Sequence, residues 1–249
     1  MPGIPASPEP RGRPLTAYPK SIQKGTIDMR NKFDEQLEQL HVQLIKMGSL
    51  CEEAISVSVK SLLEEDIALT QKASHIEEEI DQKEHEIETL CLRLLLQQQP
   101  VARDLREISA ALKMISDMER IGDQAADIAE IASFMKGSNA QSKVHIKDMA
   151  EAAIKMVIDS VDSFVKKDLE LARAVMKYDD VVDNLFVRVR KELVQLVSAD
   201  GGNGELYLDL LMIAKYLERI GDHAVNVAEW VEYSITGIHR SDAVPQPEE

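Results

Sequence analysis

The 249-residue chain is 44% hydrophobic but only 4% aromatic, it is 29% charged, and it carries a net charge of −15. There is enough aliphatic material for one large or two small cores, and the scarcity of aromatics and glycines favours long amphipathic helices over strands. The charge balance excludes a large basic face for nucleic acid or anionic lipid. No apolar run approaches the roughly 20 residues of a membrane span and no signal core opens the chain, so membrane insertion is not expected.

The segment from Met1 to Gly25 carries Pro2, Pro5, Pro8, Pro10, Pro14 and Pro19 with little apolar content, and it is expected to be disordered, as is the end from His239 to Glu249. Between them the apolar spacing predicts six helices. The first runs from about Asp28 to Glu65, on Leu37, Leu40, Leu44, Met47, Leu50, Ala54 and Val57. A second runs from about Ile67 to Gln98 and is stopped by Pro100; a third, from about Val101 to Met135, ends at Gly137. A polar stretch, Gly137 to Lys143, intervenes. The pattern then restarts: His145 to Lys166, Leu169 to Val197, and, after a glycine-rich turn, Glu205 to Ser234 before Gly237. Cys51 and Cys91 sit in helical contexts without CxxC spacing and are expected as reduced core residues, which places the chain in the cytoplasm.

The two halves are copies. Glu119-Arg120-Ile121-Gly122-Asp123 recurs as Glu218-Arg219-Ile220-Gly221-Asp222, and Ala125, Ala129 and Glu130 match Ala224, Ala228 and Glu229. On the preceding helix of each half, Glu77 to Asp81 matches Asp179 to Asp183. The expected fold is all-α, two tandem pseudo-symmetric antiparallel three-helix bundles. The expected boundaries are a tail over 1–27, a first repeat over 28–137, a linker over 138–144, a second repeat over 145–237 and a tail over 238–249.

Residues four apart share a helix face. Glu119, Asp123 and Asp127 therefore form one acidic stripe, and Glu218 and Asp222 its copy with Asn226 third; Glu77 with Asp81 and Asp179 with Asp183 form shorter ones. Like charges at this spacing weaken a helix slightly, a cost that a bound cation reverses, and oxygen ligands suit Mg²⁺, Ca²⁺, Mn²⁺ and iron. An acidic pair at this spacing is also what an ordinary solvated face looks like, with Arg120 and Arg219 as surface partners. Ile121 lies about 200° from its acidic neighbours on the helix, so the stripe is expected to face solvent as an open site. Gly122 and Gly221 disfavour a helix interior by about 1 kcal/mol each; either a neighbouring helix comes close or space is left beside the carboxylates. His85 and His223 lack counterparts in the other half. Glu38 and His41 make one Glu-x-x-His, but a di-iron bundle needs two, and none other is present.

The doubled Glu-Arg-Ile-Gly-Asp-(Gln/His)-Ala-x-(Asp/Asn)-(Ile/Val)-Ala-Glu, the Pro100-Val101-Ala102-Arg103-Asp104-Leu105-Arg106 lead-in and the opening of the first helix from Phe33 through Leu37 to Met47 resemble the PhoU family, over about residues 28 to 237. That resemblance implies a negative regulator of the phosphate-starvation response and of phosphate uptake. It also implies an adaptor between the ATPase subunit of a phosphate ABC transporter and a sensor histidine kinase, often a homodimer. Multinuclear iron or zinc on the motif carboxylates is implied first, with magnesium or manganese as alternatives. By motif match the metal ligands are Glu119, Asp123, Asp127, Glu218 and Asp222, with Asn226 a weaker neutral donor; Glu77, Asp81, Asp179 and Asp183 come next. No catalytic residue is expected. The competing readings are a phosphatase-like enzyme using the same carboxylates, and a metal-free structural bundle.

Overall fold

The computed structural model describes residues 20–64, 66–97, 100–135, 144–199 and 203–238. Within them are six helices: α1 (Lys20–Glu64), α2 (Ile67–Gln97), α3 (Ala102–Phe134), α4 (Ile146–Lys166), α5 (Leu169–Ala199) and α6 (Gly204–Thr236). Five of the six lie within two residues of the bounds expected from the sequence. The exception is α1, which starts eight residues before Asp28 and so takes in residues 20–27 that composition assigned to the tail. The last helix-breaking proline is Pro19, and Gly25 alone, at about 1 kcal/mol, does not stop a helix anchored by 45 residues. The remaining tail over 1–19, the end over 239–249 and the linker over 136–143 lie outside the described residues.

Each half is a three-helix bundle. α1 packs on α2 and α3, and α4 on α5 and α6. The halves join through α3 against α6, the most extensive helix pair among the described residues, and through α1 against α4. α3 is thus enclosed on three sides by α1, α2 and α6.

The apolar spacing puts Leu40, Leu44, Met47, Ala54 and Val57 of α1 in the core, while Leu37 and Leu50 sit at its edge. Ile80, Ile87 and Leu94 of α2 and Ile108, Met114, Ile121 and Ile128 of α3 complete the first bundle. Burying such side chains contributes about 1.5–3 kcal/mol each, which outweighs the small propensity losses at the acidic stripes. Cys51 and Cys91 are buried free thiols, pushed up to about 12 by burial. α1 and α4 meet closely at Gly48, where an added Cβ would lie 3.2 Å from Val161. Gly237 ends α6 in the left-handed region with φ 79°, where a Cβ is unfavourable.

Candidate metal centre

The carboxylates of the first half meet in the seam between α2 and α3. One oxygen each from Glu77, Asp81 and Asp123 lies within 4.8 Å of the others, the single such three-residue group among the described residues. That span is twice a typical oxygen-to-Ca²⁺ distance, so one hard cation can touch all three. One Asp81 oxygen, Oδ1, is buried without a hydrogen-bond partner. A buried, unpaired carboxylate oxygen is costly unless something cationic satisfies it. The donor set therefore fits a hard cation.

Helix packing explains how they come together. Gly122 lies under Ile80 of α2, and a Cβ there would be 3.0 Å from the Ile80 Cδ1 and 3.2 Å from its Cγ2. The missing side chain lets α2 approach α3. Asp81 and Asp123, the next residues on each helix, are carried to each other by that approach. Both uses of the glycine anticipated from the sequence are one use here.

The seam corrects the expectation of an open, outward-facing stripe. The Glu119 and Asp123 side chains are only 21% and 30% exposed. The face opposite the first bundle's core is flanked by α2, so it forms a groove wall rather than free surface. Arg120 bridges the rim, donating to Asp123 Oδ2 at 2.8 Å and lying 3.4 Å from Glu119 Oε2. Crowding has an electrostatic signature. Burial, then Asp81, Asp123 and Glu78, raises the Glu77 carboxyl above its ordinary range; burial, then Asp123, raises Glu119, with Arg120 opposing.

In the second half Asp179, Asp183, Glu218 and Asp222 gather between α5 and α6. Burial, followed by Asp183, Asp222, Glu218 and Asp180, pushes the Asp179 carboxyl up to about 6, and burial with Glu218 raises Asp222. No three of their oxygens meet the 4.8 Å spacing of the first site. Lys215, one turn before, donates to Glu218. Packing at Gly221 is looser, since a Cβ there would lie 3.5 Å from Asp179 Oδ1 and from Val182, ordinary contact distances.

Two residues of the expected ligand set lie elsewhere. Burial raises the Asp127 carboxyl, opposed by the neighbouring Tyr216 hydroxyl of α6, and Asn226 donates from Nδ2 to Asp117 Oδ1 of α3 at 2.9 Å. These two pairs are pseudo-symmetric and fix α3 and α6 antiparallel. The reason is helical geometry: two steps of four residues turn a side chain by about 80°. Asp127 is thereby rotated out of the α2 groove toward α6. Asn226 is an amide where its copy is an acid because its partner, Asp117, is itself an acid. His223 joins the same seam, with Nδ1 2.9 Å from Asp117 Oδ1.

Glu84, outside the acidic stripes expected from the sequence, also faces the groove between α2 and α3. It adds to the negative field at Glu119 and accepts from Ser116 Oγ at 3.2 Å. Its signal was available, since positions 77, 81 and 84 continue the four-then-three spacing of one helix face. His85 is turned to its own helix, with Nδ1 3.1 Å from the Asp81 carbonyl oxygen.

Residues 44–132 and 146–231 each match the PhoU domain, one in each bundle. The chain belongs to the PhoU family. Among its relatives, the phosphate-specific transport system accessory protein PhoU homolog of Clostridium acetobutylicum is 38% identical over 210 residues, covering 84% of this chain and 96% of that one. Its namesake in Aquifex aeolicus is 38% identical over 189 residues, covering 76% and 86%. The crystal structure of PhoU from Pseudomonas aeruginosa superposes with a TM-score of 0.77 at 35% identity, covering 83% of this chain and all of that one. The phosphate transport system regulatory protein PhoU of Streptococcus pneumoniae gives 0.76 at 26% identity, covering 83% and 98%. The fold is the tandem-bundle fold of the PhoU family, and the family's role is that of an accessory of phosphate transport. No helix among the described residues is long and apolar enough to cross a membrane.

Proposed function

We propose that this PhoU-family chain is a metal-binding regulatory adaptor that restrains phosphate uptake and the phosphate-starvation response. The observation that carries the metal part is the convergence of Glu77, Asp81 and Asp123, with an unsatisfied Asp81 oxygen among them. When bound, a hard cation would supply charge neutralisation that ties α2 to α3, and Glu119 and Glu84 stand beside it to extend the site to further ions. The second cluster, Asp179, Asp183, Glu218 and Asp222, would hold a cation more loosely. Iron or zinc is the first expectation, magnesium or manganese the second; an all-carboxylate donor set favours the oxygen-seeking members of that list.

The adaptor part rests on the family and on the names of its relatives, which are accessory and regulatory proteins. The partners are the ATPase subunit of the phosphate transporter and the sensor histidine kinase, engaged in the cytoplasm by a homodimer without catalytic activity. Elemental analysis of protein purified without chelators tests the metal part: stoichiometric metal, lost with Glu77→Ala plus Asp123→Ala, is expected, and metal-free wild-type protein would reject it. Co-purification with each partner tests the adaptor part, and retention of neither would reject that.

A further inference from the structure

At the N-terminal end of α3, three elements from both repeats converge on one buried carboxylate. The Glu107 side chain of α3 is 6% exposed. Its Oε1 lies 2.8 Å from His41 Nε2 of α1, and its Oε2 accepts from Lys167 Nζ at 2.8 Å. His41 in turn stands edge-on to the Phe164 ring of α4 at 5.8 Å. Both partners hold the Glu107 carboxyl below its ordinary range against the opposing effect of burial.

Lys167 is the residue that closes α4, and its backbone is left-handed, with φ 53°. It is the single non-glycine residue with positive φ among the described residues. Glycine is the favoured residue at such a helix end, because a Cβ is sterically penalised there. A lysine in that conformation gives up backbone comfort, and what its side chain does in return is reach across to the other repeat.

The arrangement is not duplicated. The position in α6 that copies Glu107 is Leu206, packed against the apolar core. Beside the carboxylate a cleft of about 520 Å³ opens, lined among others by Asp34, Glu38, Arg103 and Asp104. Among the described residues, Lys167 is the one residue of the second repeat that lines this cleft, so its side chain alone closes the second repeat onto the first there.

We infer that Glu107, Lys167 and His41 form a one-sided latch that holds the two repeats together at the cleft, and that this end of the inter-repeat interface opens first when the latch is released. The antiparallel α3–α6 pairs, Asp117 with Asn226 and Asp127 with Tyr216, keep the centre closed. The latch is independent of the metal centre, so its failure leaves the proposed function standing.

Hydrogen exchange on the full chain tests it, comparing wild type with Lys167→Gly, Glu107→Gln and Lys167→Arg. Lys167→Gly removes the cation while relieving the left-handed backbone, so it folds. Amides of 105–110 and 164–168 are expected to exchange about tenfold faster in Lys167→Gly and Glu107→Gln, with 117–127 unchanged and Lys167→Arg close to wild type. Protection in Lys167→Gly equal to wild type would overturn the latch. So would acceleration spread evenly along the chain, which would report global destabilisation instead.

Discussion

The two carboxylate clusters descend from one sequence pattern, yet one is tight and the other loose. In the first repeat Gly122 is pressed by Ile80, and three carboxylates converge. In the second, Gly221 has room for a methyl group, Lys215 occupies Glu218, and the acids crowd without converging. The lesson is that spacing along a helix supplies candidate ligands, while the approach of the neighbouring helix decides whether their oxygens converge.

The largest effect is expected on ion affinity. Asp81→Asn and Asp123→Asn should each weaken Mn²⁺ binding by roughly 100-fold, about 2.7 kcal/mol, in calorimetric titration. Asp222→Asn should change the strongest binding event little. Equal losses at Asp123 and Asp222 would erase the contrast between the repeats.

Next comes the seam. Asn226→Asp sets a carboxylate against Asp117, and a loss of about 1–2 kcal/mol is expected in urea unfolding, rescued by adding Asp117→Asn. The mirrored change, Asp127→Asn opposite Tyr216, should cost less than about 1 kcal/mol. Were Asn226→Asp instead to raise metal stoichiometry, Asn226 would belong to the second cluster after all.

The glycines should differ in sign. Gly122→Ala gains about 1 kcal/mol of helix propensity but meets Ile80, so a net loss of about 1 kcal/mol is expected. Gly221→Ala should be neutral or stabilising by up to about 1 kcal/mol. Denaturant midpoints measure both.

The smallest effect concerns pH. A carboxyl with a raised folded-state pKa binds its proton more tightly in the native protein, so its contribution falls as pH rises from about 4 to about 6 for Asp179. The metal-free protein should lose part of its stability over that window. Asp179→Asn should flatten the loss, by less than about 1 kcal/mol given the screening of a half-exposed group. Saturating cation should abolish it, since the ion takes the proton's place. A melting temperature that rises steadily across that range would contradict the sign.

Most of the fold was legible because apolar spacing, Pro100, Gly237 and the repeated Glu-Arg-Ile-Gly-Asp each act locally. The start of α1 was not, because proline density before Pro19 said nothing about the residues after it. Glu77, Asp81 and Asp123 could be named from spacing, but their convergence could not, since it depends on how Ile80 sits on Gly122. The place of Asp127 beside Tyr216 is not legible in spacing, because a stripe of fourfold steps winds from the α2 groove to the α6 seam. Glu107 and Lys167 carried no signal at all: they lie 60 residues apart and join different repeats.

The central claim is that the first repeat's three carboxylates share a cation. Crystals grown with Mn²⁺ and measured for anomalous scattering test it directly. A peak is expected between Glu77, Asp81 and Asp123, stronger than any beside Asp179 and Asp222. Density for the ion only in the second repeat, or no peak in either, would contradict it.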